Sequence, residues 1–409
     1  RAREGVKHGL CQTTLGALLF EALELSGEYR PNVEHKLYWR QTRRVGEIVF
    51  GNVRRMAPEQ LRCPDGHDFR LVIDHPFDEG TYGPLHDITA LEEFTAHDAS
   101  TWTLVWLPSF FSESTYRTLE ELVAIGVVLN EPSKYLQHLS VEKQAAAHTL
   151  LQNLQREKRS LLLDVLARAY GLAAVKDDDP ALDPSRRVAE HLRLLVAGER
   201  LAPSVFAPNL ALALASYVPA LLETRYPHHP ELRVRLTNKS AIESVLRWFD
   251  LLCDQPDHRL ADLKRDELET LRGILGALGV VRLSESAAHL VTDGPLQRIE
   301  RRREQEAVDN PTVGELAAWH DDGFRHGLQP EALSVLVRCY VRLYARTLSV
   351  GGRPWSLPAN GLIPAHIVLD KPELPRDEHW GRALKLAGGV FGLRTRSSNT
   401  ADNLRAFSA

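Results

Sequence analysis

The apolar positions of "LGALLFEALEL" (15–25) recur with helical periodicity, and "KLYWRQTRRVGEIVFGNV" (36–53) places β-formers on either side of Gly46. This predicts a helix followed by a hairpin. "FRLVID" (69–74) then reads as a strand, "GPLHDITALEEFTAHD" (83–98) as a helix with Pro84 near its start, and "TWTLVWLP" (101–108) as a second strand. Both strands are apolar on both faces, and their roughly 30-residue spacing suits a right-handed βαβ crossover. Trp102 and Trp106 share a face with Leu104, which reads as core rather than as a stacking platform for a ligand.

From Ser114 to about Arg225 the pattern is nearly all helical, interrupted by "VKDDDPALDPS" (175–185), whose acids and two prolines mark a linker. The expected organisation is therefore an α/β subdomain with following helices (1–174), the linker (175–185), a helical domain (186–349) and a loop-rich tail (350–409). Within the helical domain, "NKSAIESVLRWFDLLCD" (238–254) and "KRDELETLRGILGALGVV" (264–281) are amphipathic, and "VVRLSESAAHLVTDG" (280–294) holds two short strands around a polar turn. Helix, helix, hairpin is the order of a winged-helix-like unit over 238–294, although any small α+β packing unit shares it. "PTVGELAAWHDDG" and "PEALSVLVRCYVRLYART" add helices, and no internal repeat or low-complexity tract occurs. The fold class is mainly α with a small βαβ-containing α/β subdomain, in a multi-domain chain.

Composition narrows the function classes. A chain of 409 residues with 44% apolar content buries more than one core. Fifty basic against fifty-four acidic residues, a net charge of -4, provide no global field for nucleic acid, so any such contact must be local. Cys11, Cys63, Cys253 and Cys339 are too scattered for a disulfide framework or a paired zinc site, which fits a reducing cytoplasm. No apolar run reaches membrane-spanning length, and no signal-peptide pattern opens the chain. The chain starts at Arg1 with a helical pattern already running by Leu10, which reads as a piece of something longer.

The chemistry-bearing residues are few. Asp74, at the carboxyl end of an apolar strand, stands where magnesium-organising carboxylates sit, with Asp78 and Glu79 following. Yet no GxxxxGK[ST] loop occurs, and His75, Pro76 and Phe77 separate Asp74 from the other two acids. An ATPase-like acidic site at Asp74, Asp78 and Glu79 competes with a plainer role for Asp74 as the brace of a turn stiffened by Pro76. Cys63 and His67 in "CPDGH" are two ligands without partners, and "WHDDGFRH" (319–326) reads as a helix end stopped at Gly323. Ser109 and Ser112 lack a GxSxG elbow, so neither a catalytic set nor a metal site emerges, and no cofactor is assigned to these residues.

Two basic clusters remain. Arg40, Arg43, Arg44, Arg54 and Arg55 lie on or beside one hairpin with only Glu47 nearby, where guanidinium forks can grip phosphates. Period-two alternation puts Arg40 and Arg44 on one face of the first strand and Arg43 on the other. In and just after "RIERRRE" (298–304) the acids Glu300, Glu304 and Glu306 interleave with Arg298, Arg301, Arg302 and Arg303, the pattern of a solvated, ion-paired face.

"YWRQTRRVGEIVFGNVRRM", "VIDHPFDEG" with "LHDITALEEF", "TLVWLPSFF", "LSVEKQAAAHTLLQNL", "ARAYGL" and "PTVGELAAWHDDGFRHGLQPEAL" occur in an order that resembles the PglY/BrxC family, the large P-loop ATPases of bacterial phage-growth-limitation and BREX defence systems. The resemblance covers most of the chain. It implies ATP and Mg2+ as cofactors of the full-length protein, bound in an amino-terminal ATPase domain whose Walker A lysine this chain lacks. It also implies work beside a methyltransferase, an alkaline-phosphatase-like protein and other defence-island components to mark host DNA and exclude phage. Three readings stay open: a DNA- and partner-binding segment of an antiphage ATPase, a degenerate second nucleotide-binding core acting in a homo-oligomer, and a winged-helix DNA-binding regulator.

Overall fold

The computed structural model describes residues 2–97, 100–201, 207–358, 361–392, 399, 403–404 and 407. The chain is mainly helical with small sheets, and it divides into two compact units, Arg1–Leu37 with Arg44–Arg225, and Tyr38–Arg43 with Tyr226–Ala409. Residues 175–185 lie within the first unit: Leu182 bridges to Phe111, and Arg168 pairs with Asp179 at 2.6 Å.

In the first unit, α1 (Ala2–Ala22) precedes β1 (Asn32–Trp39) and β2 (Thr42–Phe50), a 3-10 turn (Val53–Arg55) and the single turn α2 (Pro58–Leu61). Then come β3 (Phe69–Ile73), α3 (Pro84–His97), β4 (Thr103–Trp106), α4 (Glu113–Asn130), the short α5 (Pro132–Tyr135), α6 (Val141–Ala169), β5 (Leu192–Leu194) and α7 (Leu210–Arg225). The sheet order is β1-β2-β3-β4-β5, with β3 parallel to β2 and to β4, and β5 antiparallel to β4. The βαβ crossover through α3 is thus present. Asp98, the last residue expected in that helix, lies outside the described residues.

Every residue of β3 and β4 is buried, as strands covered on both faces must be. Val49, Val72 and Val105 face one way onto Leu91 of α3. Trp106 faces the other way and meets Tyr170 and Tyr217 edge-on, with ring centroids at 5.3 and 5.1 Å.

The hairpin is built differently from the pattern's suggestion. The chain reverses at Arg40 and Gln41, whose φ values of 46° and 62° are the left-handed pair that a two-residue turn requires. Gly46 lies inside β2, and a Cβ there would stand 2.3 Å from the Phe69 ring. The glycine therefore admits an aromatic neighbour rather than marking the turn. Residues 186–209, expected to resume the helical pattern after the linker, carry no helix among those described.

In the second unit, α8 (Lys239–Asp254), β6 (Arg259–Leu260) and α9 (Arg265–Leu271) run into a π turn (Arg272–Gly276), then β7 (Val281–Leu283) and β8 (Ala288–Leu290). These strands form a sheet of order β6-β8-β7. Asn238 caps α8 by accepting from the Ala241 amide at 3.2 Å. Helices α10 (Pro295–Gln305), α11 (Val313–Asp321) and α12 (Pro330–Leu343) complete the apolar core. Thr312 and Glu315 cap α11 reciprocally, and Gly323, at φ 70°, comes just after its end. The tail is more regular than its composition suggests. It holds β9 (Thr347–Val350), β10 (Arg353–Pro354) and β11 (Val368–Asp370) in the order β10-β9-β11, then α13 (Asp377–Phe391). Most residues after 392 lie outside the described residues.

Candidate functional site

Parallel pairing of Phe50 with Ile73 carries the segments after β2 and β3 out of the same end of the sheet. The carboxyl ends of parallel strands are where α/β sheets place ligand-binding groups. Here they bring together two sets that sequence reasoning kept apart, the acids Asp74, Asp78 and Glu79 and the arginines Arg54 and Arg55.

Asp74 is wholly buried. Its Oδ1 accepts the Val53 amide at 3.1 Å, so it braces the 3-10 turn that comes after β2. Its backbone carbonyl accepts the hydroxyl of Tyr170, and its Oδ2 has no hydrogen-bond partner. Asp78 is held from two sides, by Arg54 Nε at 3.0 Å and by Arg55 Nη2 at 3.0 Å, and Arg55 also reaches Glu79 at 2.8 Å. The guanidinium carbon of Arg54 lies over Tyr82, 3.7 Å from the ring centre. Ion pairing with Arg55 holds the Glu79 carboxyl below its usual range.

Asp87, which sequence reasoning missed, enters from the first turn of α3. It is 1% exposed, and neither carboxylate oxygen has a hydrogen-bond partner. Burial, then the charge of Asp78, pushes its carboxyl up to about 7 against the opposing pull of Arg54. Burial and the neighbouring Asp87 raise Asp74 well above the carboxylate range. His75, with both ring nitrogens buried and unpartnered, is pushed down to about 4 by burial, with His8 adding to the shift. The side chain of Asn52 is likewise buried without a partner. The available signal for Asp87 was its spacing from Leu91: four residues apart on a helix, the two share the face that α3 buries.

This arrangement can hold protons on a buried acid pair, but its arginines are spent on carboxylates. Among the described residues, no group of three or more His, Cys, Asp or Glu side chains is placed to hold a metal ion. Cys63 is half-buried with its thiol pushed up, burial being the main cause, and its Sγ lies 3.6 Å from the His67 carbonyl, as in a closed loop.

The remaining hairpin arginines are dispersed. Arg44 is fully buried and pairs with Asp68 at 2.9 Å, while Asp68 Oδ2 accepts the Val45 amide at 2.9 Å. The expected sharing of one strand face by Arg40 and Arg44 is not found, because Arg40 occupies the turn and Arg44 lies on the buried face of β2. Arg40 donates to the His229 carbonyl at 2.9 Å, and Arg43 is exposed. In the second cluster Arg301 pairs with Asp293, Arg302 with Glu306 at 2.7 Å and Arg303 with Glu300 at 2.8 Å, while Arg298 lies over Phe324.

In the second unit, the histidines of "WHDDGFRH" stack, His320 on His326, with ring centroids 4.1 Å apart. Burial, reinforced by His326, drives His320 down to about 3.

Comparison with known families finds two matches. Residues 1–226 match the model described as the PglY fourth domain, and residues 240–341 match that described as the BREX System ATPase PglY protein 5th domain. No solved structure matches the chain significantly.

Proposed function

From the premise that this chain belongs to the PglY family of BREX-system ATPases, and so to a phage-defence apparatus, we propose that it is a docking segment of the ATPase, serving partner proteins of the defence complex more than DNA. One observation carries this reading. Arg40, Arg44, Arg54 and Arg55, four of the five arginines able to form a phosphate grip, donate to carboxylates or a carbonyl within the fold. A guanidinium already engaged by a carboxylate must break that contact before it can neutralise a phosphate and release a counterion. The partners in view are the methyltransferase and the alkaline-phosphatase-like protein of the same island, with ATP and Mg2+ used elsewhere in the full-length protein.

The test is duplex binding by fluorescence anisotropy at several salt concentrations, alongside capture of the two partners by the tagged chain. A shallow salt slope, unchanged in Arg40→Glu, with capture of either partner supports the reading. A steep slope that Arg40→Glu flattens moves the function to DNA.

A second reading has its own support. It takes residues 238–294 as a winged-helix-like unit and is supported by the element order α8, β6, α9, β7, β8 and the sheet order β6-β8-β7. Arg282, on the hairpin, is exposed. Loss of duplex mobility shift in Arg282→Glu, but not in Arg40→Glu, would establish a DNA-reading unit there. The nucleotide-core reading requires the chain to bind magnesium-ATP through Asp74, and calorimetry with Asp74→Asn addresses it directly.

A further inference from the structure

The second unit contains a cavity of about 460 Å3 between α8 and α12, within the roughly 300–1,000 Å3 range of small-ligand sites. Its walls are mostly apolar: Leu236, Ile242, Val335, Leu357 and Leu362 line it. Four charged side chains also reach it, Lys239 and Glu243 from the start of α8, Glu331 and Arg338 from α12.

Arg338 is the unusual one. It is half-buried, yet among the described residues no carboxylate or carbonyl lies within ion-pair or hydrogen-bond reach of its guanidinium. Burial outweighs the distant attraction of Asp250 and Glu243 and pulls it below the usual arginine range. Asp250 itself is taken by Arg342 at 3.1 Å. Glu243 is exposed, so water screens it, and Glu331 sits in the first turn of α12, where the helix dipole favours its charge. Neither acid therefore satisfies Arg338. A half-desolvated guanidinium against an apolar cavity is unfavourable unless an anion completes it.

We propose that this cavity binds an amphiphilic carboxylate, its aliphatic body against the leucine and isoleucine walls and its carboxylate on the fork of Arg338. Two sources share this chemistry, a free aliphatic acid and the terminal residue of a polypeptide. The site stands independently of the docking reading, since it needs no partner of the complex.

The whole chain is titrated by calorimetry with octanoate, with N-acetyl-leucine and with N-acetyl-leucinamide, which lacks the charge. Binding of either acid but not of the amide is expected, with octanoate pointing to a free aliphatic acid and N-acetyl-leucine to a chain terminus. Arg338→Met, which keeps the apolar stem, should weaken binding at least tenfold, and Arg338→Lys should weaken it less. Leu357→Trp, at the half-exposed rim, should block entry and serves as the deciding variant if Arg338→Met fails to fold. Binding of neither acid, equal binding of the amide, or wild-type affinity in Leu357→Trp and Arg338→Met overturns the proposal.

Discussion

The guanidinium of Arg44 and the carboxylate of Asp68 meet at 2.9 Å with no part of the arginine side chain exposed. Removing one partner takes this ion pair from a charge that stays in the interior. Arg44→Ala and Asp68→Ala should each cost about 3–5 kcal/mol, whereas Arg44→Met combined with Asp68→Asn, which keeps an acceptor for the Val45 amide, should recover a good part of the loss. Urea unfolding of the three variants measures both effects. Loss below about 1 kcal/mol in the single variants would mean that water reaches the pair.

Asp87 makes the first unit less stable as pH rises. Its carboxyl titrates near 3.8 in the unfolded chain and at about 7 in the fold, so the native state holds the extra proton between those values. The contribution of Asp87 is greatest below about pH 4, declines up to about pH 7 and levels off above, by an amount on the order of a few kcal/mol, and the buried His75 works against it on the acid side. Because Asp74 is raised beside it, the midpoint belongs to the pair. Asp87→Asn should flatten this decline and be more stable than wild type at pH 8. Urea midpoints at four pH values between 5 and 8 would show it.

His320 should act in the opposite sense in the second unit. Folded, its imidazole is pushed down to about 3 from 6.5, so its contribution is complete above pH 6.5 and is lost as pH falls below that. His320→Phe should flatten the acid limb of the stability profile. Thermal unfolding from pH 7 to 4 is the measurement, and an unchanged limb would assign acid sensitivity elsewhere.

Leu104 and Val105 are both buried on opposite faces of β4, at 1% and 0% exposure. An aspartate at either position buries an unpaired charge and should cost several kcal/mol, enough to remove soluble expression. Soluble, cooperatively unfolding Leu104→Asp or Val105→Asp protein would place the strand at a surface.

Asp78 and Glu79 keep Arg54 and Arg55 occupied. Asp78→Asn with Glu79→Gln removes the two negative charges that neutralise these guanidiniums. The log-log salt slope of duplex binding should then steepen by about 2, one counterion per released arginine. A slope equal to wild type would mean the arginines remain sequestered by other contacts.

Local pattern carried much of this protein. Strands apolar on both faces, 69–74 and 101–108, specified a buried parallel pair with a helical crossover, because only cover on both sides hides such surfaces. Gly323 marked a helix end, since a residue at positive φ there satisfies a backbone need within a few residues. Family membership was likewise legible in the order of motifs.

Tertiary structure alone decided what the charges do. Arg44 reads like any other arginine of "WRQTRR", yet β2 turns it toward Asp68, 24 residues away. Arg54 lies as far along the chain from Asp78 as Arg44 does from Asp68, and only the parallel register of β2 and β3 brings it and Arg55 to that carboxylate. Asp87 looks like an ordinary first-turn acid until α3 is laid on the 3-10 turn and buries it. Gly46 looks like a turn until Phe69 is seen to occupy the space of its side chain. A charge and its partner are selected by distance in space, and pattern along a chain constrains only the neighbours within a turn or a strand.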